Sequence, residues 1–208
     1  MPERGPVMAT GNQIQDSEMK KACRWTLIGA ALFAFLATAL NSSAAKSEDE
    51  LIADLSSPNV TMVVAALQRL EKDYPTSTKA HPQIKKLLTD DRPRVRRKAA
   101  RVLGALHAEV SGEDVKAICE LLKSANPDEA IDGLKALRGL KAPQAVAQIT
   151  PILKETGRHP NVIRDACRTL AVLGNKDVIP QIEPLLNHAN AAVRKDAQDA
   201  IFVLKAKS

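Results

Sequence analysis

The chain has 208 residues, of which 45% are apolar but only 2% aromatic, and its formal net charge is +6. That is room for one domain and an appendage, with a core that must be built from Ala, Leu, Val and Ile. Such a core favours closely packed helices over a β-sandwich, because strands are enriched in aromatic and β-branched residues. The basic excess falls far short of the density of a dedicated nucleic-acid binder, and the three cysteines, Cys23, Cys119 and Cys167, contain no CxxC pair that would indicate a disulfide framework or a zinc site.

Residues 1–18, MPERGPVMATGNQIQDSE, are polar and unpatterned. They read either as a disordered extension or as untranslated sequence ahead of a start at Met19, which opens with the compact "MKK". Residues 19–45 then show three zones: Lys20, Lys21 and Arg24, the uncharged run WTLIGAALFAFLATAL, and the short neutral stretch NSSAA. A basic, an apolar and a small-residue zone in that order describe an export signal, with Ser43 and Ala45 at the −3 and −1 positions of a cut before Lys46. The alternative is an uncleaved anchor, since the uncharged run Trp25–Ala45 is 21 residues long and can span a bilayer. A buried core helix is a third reading, disfavoured because the segment is apolar all round. Both of the first two readings keep the basic end inside and translocate the rest of the chain. The expected location is therefore periplasmic or extracellular after cleavage near Ala45, or the inner membrane with the domain outside the cytoplasm.

From residue 46 to 208 the chain repeats itself. LLTDDRPRVRRKAARVLGAL (Leu87–Leu106) aligns without a gap on LLKSANPDEAIDGLKALRGL (Leu121–Leu140), superposing Leu88 on Leu122, Pro93 on Pro127 and Leu103 on Leu137. Further copies are ILKETGRHPNVIRDACRTLAVLG (Ile152–Gly174) and LLNHANAAVRKDAQDAIFVL (Leu185–Leu204), and a weaker one, Leu51–Leu70, leaves its second-helix register open. Each unit predicts two helices. The second carries apolar residues at slots 0, +4, +8 and +11, counted from Val95, Glu129, Val162 and Val193, which is one face at helical spacing. Pro and Asn/Asp clusters punctuate the pairs, Ser111 with Asp114 reads as a capping box, and Pro143 suits the first turn of a further helix. No pair buries both its faces alone, whereas five stacked pairs share a continuous core.

The pattern Pro–x–Val–Arg–x–x–Ala–x–x–x–Leu, present in PRVRRKAARVL and partly in AAVRKDAQDAI, resembles HEAT repeats, particularly the short bacterial kind found in phycobilisome-lyase-like proteins. The likeness runs over about residues 48–206. The resemblance implies an all-α, right-handed solenoid of about five helix–turn–helix repeats, armadillo-like in kind. It also implies that the second helices line the concave side, where partners dock. It is almost silent on function, because such arrays serve as scaffolds and adaptors and only occasionally as enzymes. The third copy departs from the pattern, with Glu129 in the Val slot and Gly133 in the Ala slot.

On the second helices the apolar slots leave +2, +3 and +6 pointing outward. Slots +2 and +6 place Arg97, Arg101, Lys135, Arg164 and Arg168 in one column, with Arg92, Arg94 and Lys98 beside it. Such a column attracts an acidic partner; the competing reading is a solvated face balanced by Asp132, Asp165 and Asp196 at +3. Arg96 and Arg194, just after the Val slot, are expected to make inter-repeat hydrogen bonds.

Catalysis finds little support. His81, His107, His159 and His188 stand apart, with His159 and His188 read as solvated loop residues, and Cys167 falls in a small apolar slot as a buried thiol. Neither a cofactor nor a metal is expected. Nucleic acid is disfavoured by the scarcity of aromatic platforms, only Tyr74 and Phe202 lying beyond the leader. At the C-terminus Phe202 and Val203 either fold under the final loop or contact a partner. The expectation is an exported, non-enzymatic protein-interaction scaffold, with a membrane-anchored organiser and a lyase-like enzyme as alternatives.

Overall fold

A computed structural model of the chain describes residues 46–155 and 157–207. The predicted tail at 1–18 and the export signal or anchor at 19–45 lie outside the described residues. The helical unit begins at Ser47. There Ser47 caps helix α1 (Glu48–Asp54) reciprocally with Glu50, and α2 (Val60–Asp73) follows behind the side-chain cap of Asn59. The later pairs are α3 (His81–Lys86) with α4 (Pro93–Ala105), and α5 (Gly112–Glu120) with α6 (Pro127–Gly139). Then come α7 (Val146–Ile149) with α8 (Pro160–Leu173), and α9 (Ile179–Ile182) with α10 (Ala191–Ala206).

The second helices start where the sequence says they should. Pro93, Pro127 and Pro160 open α4, α6 and α8, where a missing N–H costs nothing because the first turn has no acceptor for it. Asn126 and Asn190 cap α6 and α10, and Ser111 and Asp114 form the expected capping box at α5. Asn59 stands where Arg92 stands in the next repeat, which fixes the register of the first copy: Ala66 and Leu70 fill the +4 and +8 slots and are buried. Met62, in the Val slot, is instead 43% exposed.

The first helices differ from the expectation of one helix per half-repeat. α3 and α5 run into 3-10 turns at Leu87–Thr89 and Leu121–Lys123. In the last two repeats only four α-helical residues survive between 3-10 turns, Pro143–Ala145 and Thr150–Lys154 around α7, and Lys176–Val178 and Glu183–Asn187 around α9. Pro151 and Pro184 are the cause: each removes a donor and crowds the carbonyl four residues back. Thr150 adds its hydroxyl to its backbone N–H on the Val146 carbonyl, at 2.7 Å.

The second helices pack in chain order, α2 on α4, α4 on α6, α6 on α8 and α8 on α10. Both halves of each repeat send a large aliphatic side chain into one core: Leu51 with Leu67, Ile84 with Leu103, Ile118 with Leu137, Ile149 with Leu170, and Ile182 with Leu204, all under 2% exposed. The result is an all-α solenoid of five stacked pairs. The closest approach is between α4 and α6. A Cβ on Gly104 would lie 2.7 Å from the Ala136 Cα, and one on Gly139 would run into the Gly104 carbonyl. The two helices end alike: His107 and Lys141 take φ of 50° and 51°, and Ala108 N–H and Ala142 N–H reach back to the carbonyls of Leu103 and Leu137.

The last repeat corrects one expectation. Phe202 is 76% exposed and Val203 43%, so neither folds under the final loop. In inner repeats the next helix pair covers the side of the second helix that Phe202 occupies here, and Ala171 in the same slot of α8 is buried.

Candidate functional site

A groove of about 450 Å³ crosses α4, α6 and α8. Arg97, Arg101, Lys135 and Arg164 line it together with Asp128, Asp132 and Asp165. Four of the five predicted binding residues therefore meet in one place. Arg168 does not line this groove and turns to the seam with α10.

Within the column the cations are not equivalent. Arg97 Nε lies 3.1 Å from Asp132, and Arg164 and Arg168 converge on Asp196 at 2.7 and 3.1 Å. Each pair crosses from a +2 or +6 cation of one repeat to the +3 aspartate of the next. Arg138 faces Asp165 in the same direction, at 3.6 Å. Arg101 and Lys135 are exposed and form no hydrogen bond or ion pair with any described residue.

The aspartates revise the sequence reading. Slot +3 does not point outward: Asp165 and Asp196 are only 7% exposed, held between neighbouring second helices. Burial raises the Asp132 carboxyl above its ordinary range, against the pull of Arg97, Arg101 and Lys135. The groove thus carries Asp132 and Asp165 at its base, and the exposed charges of its lining are Arg101 and Lys135 together with one carboxylate, Asp128. The two cations attract anionic groups, and the lining offers no nucleophile.

Of the other basic residues singled out in the sequence, all but Arg94 have structural partners among the described residues. Arg92 forks onto Asp90 and donates to the carbonyls of Ser57 and Pro58 in the preceding repeat, and Lys98 pairs with Glu71 at 2.6 Å. Arg94 is exposed. The expectation of inter-repeat bonds from Arg96 and Arg194 is corrected. Arg96 donates to the carbonyls of Asp90 and Asp91, and Arg194 to those of His188 and Ala189, so each closes the loop of its own repeat. Besides Arg92, Arg158 crosses a seam in this way and reaches the Leu122 carbonyl.

His107, His159 and His188 have backbone partners, and the two described cysteines are buried. His159 and His188 are not merely solvated: their Nδ1 atoms accept from the backbone N–H of Asn161 (3.2 Å) and Asn190 (3.0 Å), the turn-and-cap role usual for Asn or Ser. His107 Nδ1 lies 2.9 Å from the Gly139 carbonyl across the α4–α6 contact. Burial pushes the thiol of Cys119 up to about 11 and that of Cys167 up to about 12, away from thiolate chemistry, and both are unbridged. Among the described residues no cluster of His, Cys, Asp or Glu could hold a metal ion, and no helix is long and apolar enough to cross a membrane. Sequence reasoning missed a second groove of about 730 Å³, lined by Val115, Cys119, Leu122, Ala147, Pro151 and Ile152. Its only signal is small and apolar residues on the outer sides of two successive first helices.

Residues 115–201 match the family model for HEAT repeats. Over those residues the chain is similar to HEAT repeats. Solved structures agree on the fold. A chain of the complex of CpcE and CpcF of phycocyanin lyase from Nostoc sp. PCC7120 superposes with a TM-score of 0.67 at 22% identity, over 79% of this chain and 67% of that one. Two engineered proteins follow, with TM-scores of 0.57 and 0.56 at 20% identity, over 77% of this chain and 80% and 81% of theirs. At these identities the likeness shows the α-solenoid fold alone. No curated protein sequence matches the chain.

Proposed function

We propose that this chain is an exported, non-enzymatic scaffold or adaptor that receives an acidic protein partner on the face of its second helices. The observation that carries the reading is the pair Arg101 and Lys135. They are exposed cations on adjacent helices that form no close ion pair with any described residue, flanked by Arg97 and Arg164, whose orientation is fixed by Asp132 and Asp196. A partner carboxylate arriving there meets fixed positive charge and displaces no existing ion pair at those two residues. The partner is read as protein because the described residues hold only Tyr74 and Phe202 as aromatics, too few to stack bases.

The deciding experiment is charge reversal. The full chain is compared with its Arg101→Glu/Lys135→Glu variant for binding a fluorescein-labelled oligoglutamate peptide at two salt concentrations. Native binding that weakens with salt and falls at least about ten-fold in the variant supports the reading, since two lost charge pairs at a surface correspond to roughly 1–2 kcal/mol. Unchanged binding makes the column ordinary solvated surface.

Export rests on residues 19–45. The capping box of α1 begins at Ser47, so a cut before Lys46 leaves the first helix and its cap intact. The membrane-anchored organiser is the second reading, favoured by the 21 uncharged residues Trp25–Ala45. Intact mass of the untagged protein from fractionated cells separates them: a soluble species beginning at Lys46 supports cleavage, and a membrane species retaining Met19 supports the anchor. Protein confined to the cytoplasm would sink both. A lyase-like enzyme has in its favour only the 22% identical likeness to the phycocyanin lyase complex, while the two thiols are buried and shifted away from the nucleophilic form.

A further inference from the structure

Five large apolar side chains stand out from the described surface: Met62, Val172, Leu186, Phe202 and Val203. Three of them lie near the C-terminal ends of α8 and α10. There Lys207 Nζ donates to the carbonyls of Val172 and Gly174 at 2.7 and 2.8 Å, which ties the end of α10 to the end of α8. Val172 and Val203 occupy the same slot, +10 from Val162 and Val193, and are 48% and 43% exposed.

Slots +2, +6 and +10 are four residues apart and follow one row along a helix. On α8 that row reads Arg164, Arg168, Val172, and on α10 it reads Lys195, Asp199, Val203. On α4 it reads Arg97, Arg101, Ala105, and on α6 Ile131, Lys135, Gly139. In all four repeats the third member is apolar or small, whereas cations concentrate in the first two. The face therefore changes character across its width, from charge to apolar surface, within one helical turn of about 6 Å. Phe202 extends the apolar side at the last repeat.

We propose that the segment received by this face is acidic along one flank and aliphatic along the other. Its carboxylates meet Arg101, Lys135 and their neighbours, and its apolar side chains cover Val172 and Val203. The inference rests on the reading that this face takes an acidic partner, and it adds the apolar half of the recognition. Spacing fits an amphipathic helix laid across the repeats: packed helices stand about 8–10 Å apart, and seven residues of helix rise about 10.5 Å. Glutamates repeated every heptad therefore fall on successive repeats.

The test measures binding of two fluorescein-labelled helical peptides, each of about three heptads and equal negative charge, to the full chain by anisotropy. One carries Leu beside its Glu stripe; in the other every Leu is Ser. The Leu peptide is expected to bind at least about five-fold tighter, the scale of one or two buried aliphatic contacts. The Val172→Ser/Val203→Ser variant, altered only at exposed positions, is expected to erase that advantage and leave the Ser peptide unaffected. Equal binding of both peptides by the native chain, or a Leu advantage that survives in the variant, overturns the inference while leaving the acidic-partner reading in place. Failure of both peptides to bind overturns the two together.

Discussion

The α4–α6 seam and the α8–α10 seam join equivalent helices, yet they are sealed by different means. At α4–α6 the backbones touch: Gly104, Ala136 and Gly139 leave no room for a further Cβ, and His107 adds a bond to the Gly139 carbonyl. At α8–α10 side chains do the joining. Arg164 and Arg168 both hold Asp196, and Lys207 caps the exposed carbonyls at the end of α8. The difference decides which charges remain available. Where backbones seal the seam, only Arg97 of the column is held, by Asp132, and Arg101 has no ion pair with a described residue. Where a charged clamp seals it, two arginines of the column are held by Asp196.

The sharpest way to break this comparison is Gly139→Ala. Alanine gains about 1 kcal/mol of helix propensity over glycine, but the new methyl group meets the Gly104 carbonyl, and overpacking costs about 1–3 kcal/mol. Because the methyl group meets backbone that cannot rotate aside, the cost lies at the upper end of that range and a net loss of about 2 kcal/mol in urea unfolding is expected; a variant as stable as the native chain would mean that the two helices separate without penalty. Next in size is Asp196→Ala, which strands two half-exposed guanidiniums. A loss of about 1 kcal/mol is expected, and it should shrink in high salt, which Gly139→Ala should not.

The smallest effect is assigned to Asp132→Asn. Burial raises the folded carboxyl above its ordinary value of 3.8, so the folded chain holds this proton more tightly than the unfolded one. Its contribution to stability is therefore greatest below pH 3.8 and is lost as pH rises through the raised folded value. At pH 7 the asparagine variant is expected within about 0.5 kcal/mol of the native chain. The native-minus-variant difference in urea midpoint should fall as pH is raised through the acid range. A rise instead would show the Arg97 pair outweighing burial.

Much of this was legible in the sequence because each repeat is a control for the next. The slots at Val95, Ala99 and Leu103 recur at helical spacing, and Pro93, Pro127 and Pro160 mark the helix starts, so the second helices could be placed to the residue. The first helices were less legible, since Pro151 and Pro184 convert predicted α-helix to 3-10 turns without altering the apolar pattern. The cationic column was visible at +2 and +6. That Asp196 sits beneath it was not, because a single helical wheel shows which side faces its own partner helix and not what the next repeat presses against it. The caps formed by His159 and His188 escaped for a related reason: imidazole rarely takes that role, and only the turn geometry reveals it.

Arg96 and Arg194 each tie the loop between the two helices of a repeat to helix two of that same repeat. A unit fastened in this way carries its own corner with it when its coding segment is duplicated. The carbonyl contacts that cross between units, from Arg92 to Ser57 and from Arg158 to Leu122, come from different positions at each junction and follow no such repeat.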